Sequence, residues 1–532
     1  MEKKVTGVSA DTSNSLLDRL KLLSKRRVES IENSKTSLIY FFLTFFFAVS
    51  FRNFLEASLY MDLYELEAVL NLDSVIHSTS FYLTIASAIT IILYLVTKRP
   101  IMKILKVVLP SSVILIVTPL VDFLIRMFSG VKGTTPGYIY AADITDLTVK
   151  YFTYFGGIST ADIGATIGMR VTIFFVLTLC FIYVLIYSSD IIKGLLAVLL
   201  SYTAIFSSLA LPSFLFQIDL LHLRFTSQPN VFFTHIFLIC IMVFGLVIFF
   251  IYEKETVVHI IKDIRPYRLL HYELMFVLGS VLAVDITGNS ISSPYDVVRF
   301  GVVVIAVSLA WLYSVFVNNI EDIDIDLISN EERPLIGGDL DERTYKKLSW
   351  ALLFGTLLYA YTVSEVFLFL LMTYVASYFI YSALPLRFKR IPFLSKGFIS
   401  LNSLVLVIAG FWFVGGSLVS LPIEVVILLL VGFTAVMNFI DIKDYEGDKA
   451  VGIKTLPVLL GLKKSKMLIG VFFLLTFLGA YFLFRDMIML IPLSIFGLLE
   501  LFFVTREDYH EEYVFTTYLV GLVIAIGLIL FV

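Results

Sequence analysis

The chain has 532 residues, of which 59% are hydrophobic and only 16% are charged, and its mean hydropathy is +0.93. An average soluble domain has about 25% charged residues, so this composition excludes an ordinary soluble protein. The 40 basic and 43 acidic residues nearly cancel, which argues against a nucleic-acid partner, and the two cysteines, Cys180 and Cys240, lie in apolar segments, which argues against a disulfide framework or a zinc site.

The N-terminal half begins with a basic segment and continues with apolar runs. Residues 1–35 predict a cytoplasmic tail, either an interfacial helix on the membrane surface or a solvated segment. The apolar runs that follow are long enough to cross a bilayer, and they lie near 37–52, 79–96, 104–126, 171–188, 194–212 and 231–252. They predict an N-terminal membrane domain over residues 36–262, whose function the sequence does not indicate.

Charged residues lie near the predicted outer ends of two of these runs. Arg52 and Glu56 have helical i, i+4 spacing, and so do Asp122 and Arg126, so we expect each pair to neutralise its own charges. A ligand site on the exoplasmic side is the alternative.

The C-terminal half contains nine more apolar runs. They lie near 271–288, 298–317, 347–363, 365–383, 397–415, 422–440, 467–484, 487–504 and 514–532. The chain is therefore predicted to be an all-α, polytopic membrane protein with about fifteen transmembrane helices, and its second domain covers residues 263–532. Basic residues in the tail, in the connector before the second domain and near residues 387–396 place these segments in the cytoplasm.

Two acidic clusters follow apolar runs on the predicted cytoplasmic face. The first begins the stretch "NNIEDIDIDLISNEERPLIGG", and we call residues 318–326 the first acidic motif. On a continuing helix, at about 100° per residue, Asn318, Asp322 and Asp326 share one face, whereas Asp324 points away.

The second cluster begins the stretch "DIKDYEGDKAVGIKTLPVLLG", and we call residues 441–448 the second acidic motif. Asp444 and Asp448 have i, i+4 spacing, Asp441 lies to one side of them, and Lys443 and Lys454 are close by. Carboxylate and amide oxygens suit Mg²⁺, which completes its coordination shell with water and phosphate oxygens. The two motifs together predict a site for a diphosphate bridged by Mg²⁺.

Over about residues 265–532, the chain resembles the UbiA superfamily of intramembrane prenyltransferases. The resemblance rests on the first acidic motif with its following Arg-Pro, on "YSALPLRFKR" at 381–390, on the second acidic motif with its Gly-Ile-Lys-Thr-Leu-Pro continuation, and on the nine apolar runs.

The resemblance implies a nine-helix bundle with a Mg²⁺ and diphosphate site. Its implied metal ligands are Asn318, Asp322, Asp326, Asp441, Asp444 and Asp448. Asn318 and the basic residues Lys443, Lys454, Arg387, Lys389 and Arg390 are implied to contact the substrate or support the site, and Tyr381 to line the pocket. For Arg333, bracing of the loop and contact with phosphate both stay open.

These features predict a Mg²⁺-dependent prenyltransferase of the cell membrane, with its active site at the cytoplasmic face. The expected partners are an isoprenoid diphosphate donor, a lipophilic acceptor (an aromatic or quinone precursor, or a lipid alcohol) and membrane lipids. Asp322, Asp326, Asp444 and Asp448 are the predicted catalytic residues. Two alternatives stay open: a non-enzymatic transporter or scaffold with a degenerate C-terminal half, and a terpene cyclase on the same scaffold.

Overall fold

The computed structural model describes residues 16–60, 71–129, 137–156, 165–217, 229–291, 293–323, 333–338, 340–484 and 486–531. Within these ranges all regular secondary structure is helical and no β-strand is present, so the predicted all-α class is confirmed. The chain divides into two compact units, Met1–Lys254 and Glu255–Val532.

The N-terminal unit consists mainly of long apolar helices. After the helix Leu16–Glu32, these are Leu38–Tyr60, Leu72–Thr97, Ile101–Ser111 with Val117–Ser129, Ile167–Ser188, Ile191–Leu209 and Pro229–Tyr252; the shorter helices are Ile144–Thr153 and Leu211–Gln217. The third long segment is divided by the 3-10 turn Ser112–Ile116, which begins two residues after Pro110.

The charged side chains of the two predicted pairs have hydrogen-bond or ion-pair partners within the N-terminal unit. Arg52 and Glu56 form the predicted ion pair. Asp122 takes other partners, since it accepts hydrogen bonds from Thr166 Oγ1 at 2.5 Å and from the Gly168 backbone N–H at 2.7 Å. Arg126 donates to the Leu59 carbonyl at 3.1 Å. Neutralisation within a helix therefore accounts for the first pair, and hydrogen bonds between segments account for Asp122.

The C-terminal unit contains most of the remaining helices. The long ones are Pro266–Thr287, Pro294–Glu321, Glu342–Val363, Glu365–Ser382, Leu394–Phe413, Leu462–Gly479, Leu490–Thr505 and Glu511–Phe531. The segment 423–441 changes helical type along its length, as Ile423–Ile427, the π-helical Leu428–Phe433, Thr434–Val436 and the 3-10 turn Met437–Asp441. The short helices Tyr445–Val451 and Leu456–Leu460 follow it.

Fourteen segments of the described chain are long and apolar enough to cross a membrane, six in the N-terminal unit and eight in the C-terminal unit. The remaining predicted span corresponds to Glu342–Val363, a continuous helix of 22 residues whose first two turns carry four charged side chains. The protein is a multi-pass integral membrane protein, as predicted.

Helices Pro266–Thr287 and Leu394–Phe413 cross with their backbones in contact. A Cβ atom on Gly279 would lie 1.9 Å from the Val407 carbonyl oxygen, and one on Gly410 would lie 1.9 Å from that of Phe276. Such reciprocal glycines let membrane helices approach closely and pack without voids. His271 adds a polar contact between the same helices, with Nε2 at 2.9 Å from Ser403 Oγ.

Replacing either crossing glycine by alanine is expected to destabilise the C-terminal unit by about 1–3 kcal/mol, because the added methyl group must push a backbone carbonyl aside. Gly397→Ala is the matched control on one of the same helices, since its Cβ would meet nothing within 4 Å. Unfolding of the purified chain in detergent measures the effect. Equal stability of Gly279→Ala, Gly410→Ala and Gly397→Ala would contradict the close crossing.

Candidate active site

The first acidic motif lies where helix Pro294–Glu321 ends. Asp322 caps this helix, with its backbone N–H donating to the Asn318 carbonyl at 3.0 Å, and its backbone leaves the helical conformation there (φ −105°, ψ 10°). The uninterrupted helix assumed in the sequence prediction is therefore wrong at Asp322. Asp324 and Asp326 lie outside the described residues, so the predicted directions of their side chains stay predictions.

A basic loop, residues 383–393, supplies the partners of this motif. Arg387 donates to Asp322 Oδ1 at 2.7 Å and to the Glu321 carbonyl at 2.6 Å. It thereby satisfies a carbonyl that the end of a helix leaves without an intrahelical partner. Lys389 Nζ lies 2.6 Å from Asp322 Oδ2 and 3.1 Å from Asn318 Oδ1. Ser382 Oγ also donates to Asn318 Oδ1, at 3.0 Å.

The second acidic motif crosses a turn between two helical segments. Asp441 ends the 3-10 turn, Asp444 caps the short helix Tyr445–Val451, and Asp448 lies within that helix. The Asp448 N–H donates to the Asp444 carbonyl at 2.8 Å, so the predicted i, i+4 relation is present for this pair. Asp441 is bound by Lys396 Nζ at 2.6 Å, and both residues are buried.

Residues of the basic loop and of the second acidic motif line one pocket. Lys389, Arg390, Asp441 and Lys454 all contribute to its wall, together with Pro392, Phe393, Ser395, Asn438, Ile453, Thr455, Leu456 and Leu459. Because Lys389 also binds Asn318 and Asp322, the two motifs meet through this lysine. Six of the predicted site residues thus form the pocket wall or contact a residue that forms it: Asn318, Asp322, Lys389, Arg390, Asp441 and Lys454.

Lys443 and Arg333 have protein partners. Lys443 forms an ion pair with Glu511, which also binds Arg268 at 3.3 Å. Arg333 donates to Asn319 Oδ1 at 3.3 Å. The contact of Arg333 corresponds to the bracing alternative, and a role of Lys443 in substrate binding stays a prediction.

Asn319 is the centre of a buried network behind the first acidic motif. Its Oδ1 also accepts from Arg265 at 3.0 Å, and its Nδ2 donates to the Tyr345 hydroxyl at 2.9 Å. That hydroxyl in turn donates to Asp263 Oδ2 at 2.5 Å. The network ties the end of helix Pro294–Glu321 to the connector before the first C-terminal helix and so fixes the position of Asn318 and Asp322.

Aromatic side chains pack against one another inside the bundle, beginning with Tyr381 in the last turn of helix Glu365–Ser382. The rings of Tyr381 and Tyr378 lie 5.9 Å apart, and Tyr378 contacts Tyr374 at 5.2 Å and Trp311 at 6.0 Å between ring centroids. The hydroxyls of Tyr272 and Tyr378 form a hydrogen bond. We call this packed group of rings the aromatic wall, and its apolar faces suit contact with a hydrocarbon chain.

Two basic residues that the sequence interpretation did not select as site residues bind the second acidic motif or a partner of it. Lys396 binds Asp441, and Arg268 binds Glu511, the partner of Lys443. Both lie in the first turn of a membrane helix, at residues 394–413 and 266–287. A basic residue just inside an apolar run was the available signal, because such a charge needs a buried partner.

The donor atoms of the second motif fit a hard divalent cation. Burial, together with the nearby negative charges of Asp441 and Asp444, raises the pKa of Asp448 to about 6. Burial also raises the pKa of Asp444. Carboxylates gathered in this way are stabilised by a cation between them. Within the described ranges, however, no three acidic, histidine or cysteine side chains already form a closed metal-ligand group.

The model of the UbiA prenyltransferase family matches residues 274–519. A digeranylgeranylglyceryl phosphate synthase of Thermococcus gammatolerans is 30% identical over 227 residues, which cover 41% of this chain and 74% of that protein. The chloroplastic chlorophyll synthase of Arabidopsis thaliana is 30% identical over 204 residues, covering 36% and 51%. A solved UbiA homolog from Archaeoglobus fulgidus, bound to GPP and Mg²⁺, is 18% identical with a TM-score of 0.43, and the match covers 52% of this chain and 100% of that one.

The helical bundle and these sequence relatives define a multi-pass membrane enzyme of the prenyltransferase class. The chain belongs to the UbiA prenyltransferase family, through its C-terminal unit. The family resemblance predicted from the sequence is therefore confirmed. The family match does not extend into the N-terminal unit.

Proposed function

We propose that residues 263–532, the domain that the sequence predicts within the C-terminal unit, transfer a prenyl group from an isoprenoid diphosphate to a lipophilic acceptor. We further propose that this transfer requires Mg²⁺. The observation that carries this proposal is the pocket lined by Lys389, Arg390, Asp441 and Lys454, in which Lys389 also binds the first acidic motif. A pocket wall that combines three cations with one carboxylate, and that is joined through Lys389 to the carboxylate of Asp322, suits a diphosphate accompanied by a divalent metal ion.

The charges of the pocket are arranged for a leaving group that becomes more negative. Asp322 forms ion pairs with Arg387 at 2.7 Å and with Lys389 at 2.6 Å. Asp441 forms an ion pair with Lys396 at 2.6 Å. These cations and Lys454 would stabilise the diphosphate as the allylic C–O bond breaks, and they need little reorganisation because protein contacts already hold them. Magnesium, when bound by the aspartates, supplies further positive charge to the same oxygens.

The aromatic wall has a separate role in this proposal. Tyr381, Tyr378 and Tyr374 follow one another at helical spacing on Glu365–Ser382 and lead away from the charged pocket. They would hold the apolar prenyl chain beside the acceptor and exclude water from the reacting carbon. Exclusion of water favours transfer to the acceptor over hydrolysis.

We place the active site at the cytoplasmic face. The basic loop carries Arg387, Lys389 and Arg390, and excess Lys and Arg in short loops marks the cytoplasmic side of membrane proteins. For the acceptor, an aromatic or quinone precursor and a lipid alcohol both stay within the proposal. The names of the two relatives, a digeranylgeranylglyceryl phosphate synthase and a chlorophyll synthase, denote different products, so experiment must choose the acceptor.

Transfer of radiolabel tests the proposed activity against the two alternatives. The purified chain is incubated with labelled prenyl diphosphates of several lengths, Mg²⁺ and a membrane lipid extract. We expect label in a new lipid product with the wild-type chain and loss of that product with Asp444→Asn. Release of diphosphate with a cyclised hydrocarbon and no acceptor product would indicate a cyclase. Absence of any reaction with every donor and extract would favour a transporter or scaffold.

Binding of Mg²⁺ is expected to weaken as the pH falls through about 6, because the Asp448 carboxyl, whose pKa burial raises to about 6, then becomes protonated. An ordinary aspartate would lose its charge only near about pH 4. Titration of the purified chain with Mg²⁺ between about pH 5 and about pH 8 measures this dependence. Asp448→Asn should bind more weakly and with a smaller pH dependence. Equal affinity of the wild-type chain at both ends of this range would contradict the role of Asp448.

A further inference from the structure

One face of helix Glu342–Val363 carries an exposed row of side chains that changes character along the helix. Arg343, Lys346 and Lys347 come first, Trp350 follows with 70% of its surface exposed, and Phe354 follows with 69% exposed. At about 100° per residue, these positions fall within an arc of about 100° and therefore lie on one side of the helix. We call these five residues the interfacial stripe.

The opposite face of the helix is packed and orients the stripe outwards. Tyr345 is fully buried and stacks on Phe316, with ring centroids 4.1 Å apart, and Ser349 and Thr356 are buried as well. The stripe is therefore an outward-facing surface of a helix that is fixed in the C-terminal unit.

The polar end of the stripe borders a shallow groove. The groove is lined by Glu342, Arg343, Lys346, Lys347 and Trp350. Lys346 forms an ion pair with Glu342 at 2.6 Å, and both side chains are more than half exposed, so this pair is weak in water. With three cations and one carboxylate, the groove keeps a net positive charge.

The order of the residues matches the layers of one bilayer leaflet. Arg343 and Phe354 are separated by about 16 Å along the helix, a length that reaches from the headgroups into the hydrocarbon. Lysine and arginine extend towards lipid phosphates, tryptophan prefers the boundary, and phenylalanine prefers the acyl chains. Glu342 lies on the same membrane side as Asp322, because the chain leaves one spanning helix at Glu321 and enters the next helix at Glu342.

We propose that the interfacial stripe binds an anionic phospholipid of the leaflet on the active-site side. The groove would hold the phosphate of the headgroup, and Trp350 and Phe354 would contact its acyl chain. A free phosphate ion would leave these two aromatic side chains uncovered. A second protein helix is a poor occupant, because helix pairing in membranes uses small residues at the contact and this surface presents two large ones.

Lipid binding by the full-length chain in detergent tests this proposal. Native mass spectrometry measures the affinity for dioleoylphosphatidylglycerol, which is anionic, and for dioleoylphosphatidylcholine, which is zwitterionic. We expect the wild-type chain to prefer the anionic lipid. The double variant R343Q/K347Q should lose about tenfold or more of that affinity, because each cation near an anionic headgroup contributes a several-fold factor.

Two further variants identify the source of the effect. W350A should weaken binding of the anionic lipid while leaving the charges in place. K463Q/K464Q is the matched control, since it removes two exposed cations at the start of helix Leu462–Gly479, outside the groove, and should bind lipid like the wild-type chain. Unfolding temperatures in lipid-free detergent confirm that the variants are folded.

Several results would overturn the proposal. These are equal affinity for the two lipids, equal loss in K463Q/K464Q and R343Q/K347Q, or full competition by inorganic phosphate with no effect of W350A. A change of oligomeric state in R343Q/K347Q with unchanged lipid binding would assign the stripe to a contact between two chains instead. The measurement uses no prenyl donor, so its outcome is independent of the proposed transfer reaction.

Discussion

Replacing Asp322 by asparagine is expected to reduce prenyl transfer by about a hundredfold or more, because it removes a charge on which the geometry of the pocket depends. Asp322 is the one aspartate of the first acidic motif within the described residues, and it holds Arg387 at 2.7 Å and Lys389 at 2.6 Å. Asparagine has nearly the same shape but cannot bind two cations or offer a carboxylate to Mg²⁺. Initial rates with a saturating donor measure the loss.

The control for this experiment is Asp508→Asn. It makes the same chemical change in an acidic side chain that is 77% exposed and follows a different membrane helix. We expect Asp508→Asn to keep wild-type activity and both variants to keep the wild-type unfolding temperature within a few degrees. A fully active Asp322→Asn chain would remove the first acidic motif from the proposed mechanism.

Replacing Lys396 by methionine is expected to destabilise the chain by about 3–5 kcal/mol, because it leaves the buried carboxylate of Asp441 without its cation. Lys396 is 5% exposed, and its Nζ lies 2.6 Å from Asp441 Oδ1. Methionine keeps most of the length of the side chain, so the lost charge dominates the effect. Chemical unfolding in detergent measures the change in free energy.

The double variant Lys396→Met with Asp441→Asn separates stability from activity. Removing both charges of a buried pair is far less harmful than removing one, so most of the lost stability should return. Activity should stay low, because Asp441 lines the pocket. A double variant no more stable than Lys396→Met would show that the pair does not act as a unit. Recovery of full activity would contradict the placement of Asp441 in the site.

Features that depend on residues close in sequence could be predicted. The apolar runs predicted nearly all of the membrane helices, since about 18–20 apolar residues are enough to define a span. The i, i+4 relation of Asp444 and Asp448 is present, as the backbone hydrogen bond between them indicates. The basic segment near Arg387 and Lys389 was selected from its motif, and these two side chains contact Asp322.

Features that depend on packing between distant segments could not be predicted. The sequence does not show that Lys396 pairs with Asp441, 45 residues away, or that Arg268 meets Glu511, 243 residues away. The assumption of one regular helix failed at Asp322, because the backbone leaves the helical conformation there and Arg387 satisfies the Glu321 carbonyl. The partners of Asn319 could not be predicted either, although the network that it forms with Arg265, Arg333, Tyr345 and Asp263 supports the motif from behind.

We propose that both acidic motifs bind one isoprenoid diphosphate together with Mg²⁺. Equilibrium binding tests this joint role most directly. An unreactive prenyl thiolodiphosphate analogue is titrated into the purified full-length chain, with Mg²⁺ or with excess EDTA. We predict binding that requires Mg²⁺ and that falls by about tenfold or more in Asp322→Asn and, separately, in Asp444→Asn, each variant removing a charged ligand. Binding that is unchanged by EDTA, or by both substitutions, would contradict the account.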